Sequence, residues 1–367
     1  MLSLPDRLRA RIQSEGPITF HDFMAAALYD DEAGYYFRES ERWGRKGDYW
    51  TSPERSVLFA ATFARYFARL FHNLGSPESW MVVEAGAGSG KFAEGVLDTL
   101  RLRSPDVFKA TRYVIDELSP SSRALAAERL ARFGSQVEFA GMSELEGIPI
   151  GVIFSNELLD AFPVHRVTLR AGELAEFFVN TSNKGSFEWT IQEPSTPELE
   201  HYIAGTPVRL AEGQIAEVNL ESRKWIAAAA EALRRGYVVT VDYGATAAEI
   251  LAPDARPAGT LRSFSRQQFG DDLLVTPGAQ DITSSINWSD VIQIGSVLNL
   301  QPVTFERQDR FLISEGLLEE LELRVSESED EAERLRLRTG CRELILPDGM
   351  AASFQVLVQE KVKGRAS

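Results

Sequence analysis

The middle of this chain alternates between two hydrophobic periods, and the alternation predicts a parallel α/β sheet. Mainly apolar, strand-like runs occur at residues 80–83, 112–118, 136–140, 150–154 and 237–242. Stretches with helical spacing separate several of them, as at residues 91–102 and 120–132. Strands that alternate with helices favour a doubly wound, mostly parallel sheet.

The flanking patterns divide the chain into four predicted segments. Residues 1–75 predict an N-terminal helical or lid segment, in which the aromatic stripe of residues 57–71 indicates core packing. Residues 76–164 and 216–367 predict the two halves of a Rossmann-like domain. Residues 165–215 alternate apolar and polar positions between turn signals, which predicts β-hairpins inserted as a cap over the substrate.

A long stretch in the second half, residues 243–288, is rich in Gly, Pro, Asp and Ser. A loop of this length in a compact domain is usually functional or disordered. We therefore predict a substrate loop here, and Arg262, Asp281 and Thr283 are candidates to line a groove for a protein substrate.

A glycine-rich turn follows the first apolar run and has the sequence VVEAGAGSG at residues 82–90. The dinucleotide fingerprint requires GxGxxG, but Lys91 stands where the third glycine would fall. A P-loop requires GxxxxGK before Ser or Thr, and Ala85 and Phe92 break that pattern at both ends. The remaining pattern, E-x-G-x-G-x-G, is typical of class I S-adenosylmethionine-dependent methyltransferases. A tight turn without a ligand is the alternative.

The second predicted strand ends in an acidic pair, Asp116 and Glu117. An acidic residue at this position binds ribose hydroxyls in doubly wound sheets. A solvated carboxylate is the alternative for Glu117 alone, but the glycine turn beside it favours a ligand. We predict that S-adenosyl-L-methionine contacts Glu84, Gly86, Ala87, Gly88, Gly90, Glu117, Leu118 and Ser143.

Polar residues also follow the fourth predicted strand, in the sequence SNELLD at residues 155–160. Arginine is protonated at neutral pH, and paired carboxylates can bind its guanidinium group. We predict that Asn156, Glu157 and Asp160 act on the methyl acceptor. The alternative is that Asn156 and Glu157 cap a short helix before Pro163.

The composition of the 367-residue chain limits the classes of partner and of metal site that we expect. The net charge of −15 and the pI of about 4.9 argue against a nucleic-acid partner and fit a cationic protein substrate. One cysteine, Cys341, and four scattered histidines predict neither an internal disulfide nor a metal site. No apolar run approaches the roughly 18 residues of a membrane helix. Asp6 and Glu15 interrupt the N-terminal stretch, so we expect a cytoplasmic protein without a signal peptide.

Motifs spread over nearly the whole chain match one family beyond the glycine turn. They include PITFHDFMAAALYDDEAGYY (17–36), GRKGDYWTSPE (44–54), VVEAGAGSGKFAEGVL (82–97), YVIDELSP (113–120), SNELLDAFPV (155–164), PGAQDITSSINW (277–288) and LPDGMAASFQVL (346–357). The chain resembles the MidA-type S-adenosylmethionine-dependent methyltransferases, a family that includes a mitochondrial arginine methyltransferase assisting complex I assembly. It departs from the family pattern at Ala87, Tyr49 and Ser52, where proline, phenylalanine and alanine are common.

The resemblance implies a class I methyltransferase fold with a mostly parallel, seven-stranded sheet. The late strands at residues 302–307 and 353–361 would form the antiparallel hairpin that ends such a sheet. It also implies methyl transfer to arginine of a partner protein, of the kind found in respiratory complex I. Because the family's N-terminal segment folds over the cofactor, Asp48 becomes a candidate catalytic residue, with a simple polar turn as the alternative.

Two other functions remain open at this point. The chain could methylate a small molecule with the same cofactor. It could also be an assembly chaperone that binds the cofactor without catalysis, although the intact glycines argue against a degenerate pocket. The oligomeric state is open too, with a homodimer as one alternative.

Overall fold

The computed structural model describes residues 2–38, 56–254, 256–265, 268–270, 272–346 and 353–362. In this part of the chain the helices are α1 (Leu4–Glu15), α2 (Phe20–Tyr29), α3 (Val57–Asn73), α4 (Lys91–Arg103), α5 (Pro105–Ala110), α6 (Pro120–Leu130), α7 (Pro197–Ala204), α8 (Leu220–Ala232), α9 (Ala247–Ile250), α10 (Trp288–Val297), α11 (Gln308–Ser314), α12 (Leu317–Glu327) and α13 (Glu331–Ile345). Short 3-10 helices lie at Ala131–Gln136, Met142–Glu144 and Leu159–Ala161.

The strands within the same ranges are β1 (Ile18–Thr19), β2 (Trp80–Ala85), β3 (Thr111–Asp116), β4 (Val137–Phe139), β5 (Gly151–Asn156), β6 (His165–Arg170), β7 (Glu173–Thr181), β8 (Phe187–Gln192), β9 (Ile215–Val218), β10 (Gly236–Ala245), β11 (Arg262–Ser265), β12 (Gln268–Gly270), β13 (Asp281–Thr283), β14 (Ile286–Asn287), β15 (Leu300–Arg307) and β16 (Phe354–Lys361). None of the described helices is long and apolar enough to cross a membrane.

The chain forms two compact units, each built from separate stretches of sequence. We call one the hairpin unit; it comprises Met1–Glu41, Leu159–Trp225 and Gly244–Val291. We call the other the sheet unit; it comprises Arg42–Leu158, Ile226–Tyr243 and Ile292–Ser367. The four segments predicted from the sequence follow the chain order, whereas each unit gathers residues from distant parts of the chain.

The sheet unit contains a mixed sheet with the strand order β15-β16-β10-β5-β2-β3-β4. The neighbouring strands from β10 through β5, β2 and β3 to β4 are parallel to one another, while β16 is antiparallel to both β10 and β15. The predicted mostly parallel seven-stranded sheet with a final antiparallel pair is therefore present. The short strand β14 pairs with the end of β10 and brings the number of strands to eight.

Helix α3 confirms the predicted core role of its aromatic stripe. Ser56 caps the helix by accepting a hydrogen bond from the Leu58 amide at 3.2 Å. Phe63 and Phe67 are fully buried, and their rings contact the ring of Phe154 on β5 at centroid distances of 5.1 and 5.7 Å. This aromatic packing fixes one face of β5, the strand that leads into the residues predicted to act on the methyl acceptor.

The hairpin unit contains antiparallel strands where the hydrophobic alternation predicts hairpins. Strand β6 pairs with β7, β7 pairs with β8, and β9 pairs with β6. Their role as a cap over the substrate stays a prediction. The stretch 243–288 differs from the predicted loop, because it contains α9 and a three-stranded sheet of β11, β12 and β13. Strands of three or four residues are too short to show a hydrophobic period.

Candidate functional site

The strand order of the sheet unit reverses between β2 and β5. After β2 the chain adds β3 and β4 on one side, and after β4 it returns to place β5 on the other. Ligands of open α/β sheets bind at such a reversal, beside the carboxyl ends of the strands. Ala85 pairs with Ser155 in the register of β2 and β5, so the glycine turn lies next to the segment that follows β5.

The glycine turn requires glycine for two different reasons. Gly86, Gly88 and Gly90 all have positive φ, at 70°, 54° and 74°. A Cβ at Gly90 would lie 2.9 Å from the Cβ of Ala126, so this glycine permits helices α4 and α6 to pack closely. Gly86 is exposed, and a Cβ there would lie 3.0 Å from Cδ1 of Leu158. Gly86 therefore leaves an open backbone face beside the end of β5.

Glu117 connects the glycine turn to the end of β3. The amide of Gly88 donates to its Oε2 at 2.7 Å, and the amide of Ser119 donates to its Oε1 at 2.8 Å. The Gly86 amide also donates to the carbonyl of Asp116 at 2.7 Å. A carboxylate oxygen can accept more than one hydrogen bond, so these contacts orient Glu117 and still permit a ribose contact.

The remaining predicted cofactor residues on the glycine turn and after β3 and β4 differ in exposure. Leu118 is 71% exposed, directly after Glu117. Ala87 is buried inside the turn. Ser143 is exposed on the 3-10 helix Met142–Glu144, whose first amide donates to Oδ2 of Asp116 at 3.0 Å. Burial raises the pKa of Asp116 above its usual range.

Glu84 is buried between β2 and β3. The hydroxyl of Tyr113 donates to its Oε2 at 2.6 Å. Tyr113 pairs with Val82 in the parallel register, and residues two apart on a strand share a face, so the hydroxyl reaches Glu84 along that face. Burial raises the pKa of Glu84 to about 8, although the hydrogen bond from Tyr113 opposes this shift. The sequence analysis missed Tyr113, since it reads as an ordinary apolar strand residue.

Asn156 and Glu157 stand at the end of β5 in an unusual backbone conformation. Glu157 has φ of 52°, a region that residues other than Gly, Asn and Asp rarely adopt. Its amide donates to the carbonyl of Val241 at 2.9 Å, and Asn156 Nδ2 donates to Glu157 Oε1 at 3.1 Å. These two contacts help to maintain the strained backbone of Glu157, and such strain is commonest at functional sites.

Asp160 belongs to the hairpin unit, unlike Asn156 and Glu157. It is 5% exposed in the 3-10 helix Leu159–Ala161, and its carbonyl accepts a hydrogen bond from the Ser284 amide at 2.9 Å. The short helix before Pro163 therefore exists, but it begins at Leu159, after Asn156 and Glu157. The remaining candidate, Asp48, lies outside the described residues.

The residues of the sheet unit fit S-adenosyl-L-methionine. Gly86 has no side chain, so its backbone face is left uncovered. An added Cβ would fill that space and lie against Leu158. The Oδ1 atom of Asn156 is buried and has no hydrogen-bond partner among the described residues. A buried hydrogen-bond acceptor without a donor destabilises the fold. An amino or hydroxyl group of the bound cofactor, or a donor group of the methyl-accepting substrate, would supply the missing hydrogen bond.

Comparisons with known proteins agree with this geometry. A model of the S-adenosyl-L-methionine-dependent methyltransferases matches residues 62–305. The human protein arginine methyltransferase NDUFAF7, mitochondrial, is 26% identical over 97% of this chain and 84% of its own length. Its Drosophila melanogaster homologue is 28% identical over 80% of this chain and 70% of its own length.

Solved structures extend the similarity to the whole fold. A methyltransferase-like protein from Burkholderia thailandensis, crystallised with S-adenosyl-homocysteine, is 28% identical and has a TM-score of 0.85. The alignment covers 98% of this chain and 92% of that chain. S-adenosyl-homocysteine is the product that S-adenosyl-L-methionine leaves after methyl transfer, so the predicted cofactor is confirmed. The chain belongs to the family of S-adenosyl-L-methionine-dependent methyltransferases.

Proposed function

We propose that this enzyme transfers methyl groups from S-adenosyl-L-methionine to arginine side chains of a partner protein. The observation that carries the proposal is the Glu157 carboxylate, held by a strained backbone at the carboxyl end of β5. The names of the NDUFAF7 relatives support arginine as the acceptor. By the same similarity, we propose a subunit of a complex I-type respiratory assembly as the partner.

The cofactor supplies an activated sulfonium methyl group, and the protein has to orient the acceptor nitrogen. A guanidinium group is protonated at neutral pH, and a carboxylate can accept two of its N–H groups side by side. In the proposed arrangement Glu157 accepts these hydrogen bonds and fixes the plane of the guanidinium. Asn156 offers its unpartnered Oδ1 as a further acceptor.

Proton transfer completes the proposed reaction. Methyl transfer to a guanidinium nitrogen would break the bond between the methyl carbon and sulfur and leave neutral S-adenosyl-homocysteine, while the arginine would keep its positive charge and release one proton. The proton leaves through a carboxylate or water. In our proposal Glu157 accepts it, while Asp160 and Asp48 remain further candidates for the same task.

Mass spectrometry of methylated arginine tests the proposal. The wild-type chain and Glu157→Gln are each expressed in a deletion strain, and proteins that co-purify with the chain are searched for mono- and dimethylarginine. We expect modified arginine with the wild-type chain and none with Glu157→Gln. Radiolabel from the cofactor that enters only metabolites would show a small-molecule methyltransferase. Full rescue of the strain by Glu157→Gln would show a chaperone without catalysis.

A further inference from the structure

A second group of polar side chains lies within the hairpin unit, and apart from Asp160 its members have no role in the reaction described above. The hydroxyl of Tyr36 donates to Oδ1 of Asp281 at 2.9 Å, although the two residues are 245 positions apart. Asp281 is 1% exposed and Asp160 is 5% exposed. Burial, together with the charges of Asp281 and Asp160, raises the pKa of Tyr36 well above its usual range. Asp281 is therefore bonded to this hydroxyl, and the charge of Asp160 acts on the same group.

Backbone contacts hold these side chains together. The Ser284 amide donates to the Asp160 carbonyl at 2.9 Å, and the Tyr29 hydroxyl donates to the Ala161 carbonyl at 3.1 Å. The rings of Tyr29 and Tyr36 lie 5.3 Å apart. We call this group the Asp281 cluster; it consists of Tyr29, Tyr36, Asp160, Asp281, Thr283 and Ser284.

Two hydroxyl groups of the Asp281 cluster point to a ligand. Thr283 is 5% exposed and Ser284 is 1% exposed. Their Oγ atoms have no hydrogen-bond partner among the residues that the structure describes. Side chains two apart on a strand share a face, so Thr283 faces the same side of β13 as Asp281. Because an unpartnered buried hydroxyl is costly, a polar ligand beside Asp281 would stabilise this arrangement.

Two arginines of the hairpin unit, Arg38 and Arg262, contact the same part of the chain. Arg38 donates from Nη1 to the carbonyls of Gly278 and Ala279 at 3.4 and 3.3 Å, and its guanidinium stacks on the ring of Tyr35. Arg262 is directly opposite Thr283 in the register of β11 and β13, but its side chain is exposed. Arg262 therefore lies at the rim of the Asp281 cluster.

We propose that the Asp281 cluster is a binding subsite for a guanidinium group of the acceptor protein. The inference rests on the proposed function, because that function supplies arginine as the ligand. A guanidinium group presents five N–H donors in a planar fork and stacks on aromatic rings. Carboxylate and hydroxyl oxygens are the matching acceptors, and the tyrosine rings provide faces for stacking. The subsite would select arginine over lysine, whose ammonium group has a different shape.

Direct binding to small probes tests the subsite without methyl transfer. The full-length chain, saturated with S-adenosyl-homocysteine, is titrated in a calorimeter with N-acetyl-arginine amide, N-acetyl-lysine amide and N-acetyl-citrulline amide. Citrulline has nearly the shape of arginine but carries no charge. We expect the arginine probe to bind at least about tenfold more tightly than the other two, as the loss of one charged hydrogen-bonded contact predicts.

Two variants assign the binding to this group of residues. Thr283→Val removes the hydroxyl and keeps the shape, and we expect it to weaken the arginine probe by roughly fivefold to tenfold. Asp281→Asn keeps the size and removes the charge, and its loss should be larger. Thr190→Val on β8 is the matched control and should bind like wild type. Thermal unfolding and S-adenosyl-homocysteine affinity verify that each variant is folded.

The outcomes separate this inference from the proposed function. Equal affinity of the wild-type chain for arginine and citrulline probes, or wild-type affinity in both variants, would overturn the subsite. Methylarginine on co-purifying proteins would then still support the proposed function. Conversely, arginine-selective binding that depends on Asp281 and Thr283 supports the subsite even if no arginine product is found.

Discussion

The hydroxyl of Tyr113 donates a 2.6 Å hydrogen bond to the carboxyl group of Glu84, and both side chains are buried within the parallel sheet. The acidic residue that opens the glycine turn is therefore anchored to the neighbouring strand. Glu84 precedes Gly86 by two residues, so this contact joins the start of the glycine turn to β3.

The buried Glu84 predicts a loss of stability as the pH rises. Burial raises its pKa from 4.5 to about 8 in the folded chain. Between these values the folded state keeps a proton that the unfolded state has released, so raising the pH favours unfolding. We expect Glu84→Gln to lose less unfolding free energy than wild type between pH 5 and pH 8, measured by urea denaturation. Parallel pH profiles for the two proteins would contradict this expectation.

Removing the Tyr113 hydroxyl, which donates to Glu84, should change the pH dependence of stability in the opposite direction to Glu84→Gln. Tyr113→Phe leaves the carboxyl group without its donor, at a cost of about 1–3 kcal/mol in the free energy of unfolding. Because the hydrogen bond favours the ionised carboxylate, its loss should raise the pKa of Glu84 further and extend the decline of stability to higher pH. The double variant Tyr113→Phe with Glu84→Gln provides the control and should be flatter than Tyr113→Phe alone.

Gly86 offers a test of the cofactor site with a matched control. Gly86→Ala places a Cβ 3.0 Å from Leu158, on an exposed backbone face with φ of 70°. Gly172 has φ of 82° in the turn between β6 and β7, and a Cβ there meets nothing within 4 Å. Each variant should lose roughly 1–2 kcal/mol of stability from the left-handed backbone.

Calorimetry with S-adenosyl-L-methionine then distinguishes the loss of a ligand contact from backbone strain, which the two variants share. We expect the affinity of Gly86→Ala to fall by about tenfold or more, equivalent to about 1.4 kcal/mol, and that of Gly172→Ala to stay at the wild-type value. Unchanged tight binding by Gly86→Ala would remove this glycine from the site.

Glu157 should combine a gain in stability with a loss of activity. Glu157→Gly relieves the strain of φ at 52° and should stabilise the chain by about 1 kcal/mol, measured by thermal unfolding. The same variant lacks the carboxylate, so we expect methyl transfer to be lost while cofactor binding persists. Ala171→Gly is the control, because Ala171 has φ of 51° in a hairpin turn and should gain stability without losing activity. An active Glu157→Gly variant would refute the proposed role.

The titration of His21 should make the stability of the hairpin unit depend on pH. Its ring lies 3.3 Å from an Asp22 oxygen and 3.2 Å from a Glu221 oxygen, and it stacks on the ring of His165 at 4.6 Å. Burial lowers its pKa, but the two carboxylates outweigh burial and raise the pKa above the ordinary histidine value of 6.5. The interaction of protonated His21 with the two carboxylates stabilises the fold fully below pH 6.5. This stabilisation is lost as the pH rises through the folded-state pKa of His21.

Nuclear magnetic resonance can measure the titration of His21 directly. We expect a midpoint above 6.5 in the wild-type chain and a lower midpoint in Glu221→Gln, which removes one carboxylate. A midpoint at or below that of an unfolded peptide would show that burial dominates the two carboxylates.

Local sequence patterns predicted the elements around the site with good accuracy. The apolar run before Glu84 became β2, and Ser119 with Pro120 marked the start of α6. These features depend on residues that are near in sequence, such as a cap hydroxyl and the amide it accepts from. The strands of residues 243–288 were missed, because β11, β12 and β13 are held by pairing with one another and not by a period of their own.

By itself, the sequence determined the cofactor class, since the spacing of Gly86, Gly88 and Gly90 excludes the other nucleotide-binding turns and the motifs resemble one family. Only the tertiary structure decided which side chains meet. Tyr113 reaches Glu84 through strand register, Tyr36 reaches Asp281 across 245 residues, and Glu157 adopts a left-handed backbone where β5 ends. Such contacts depend on long-range packing, and a local pattern of residue types contains no information about the distance between remote segments.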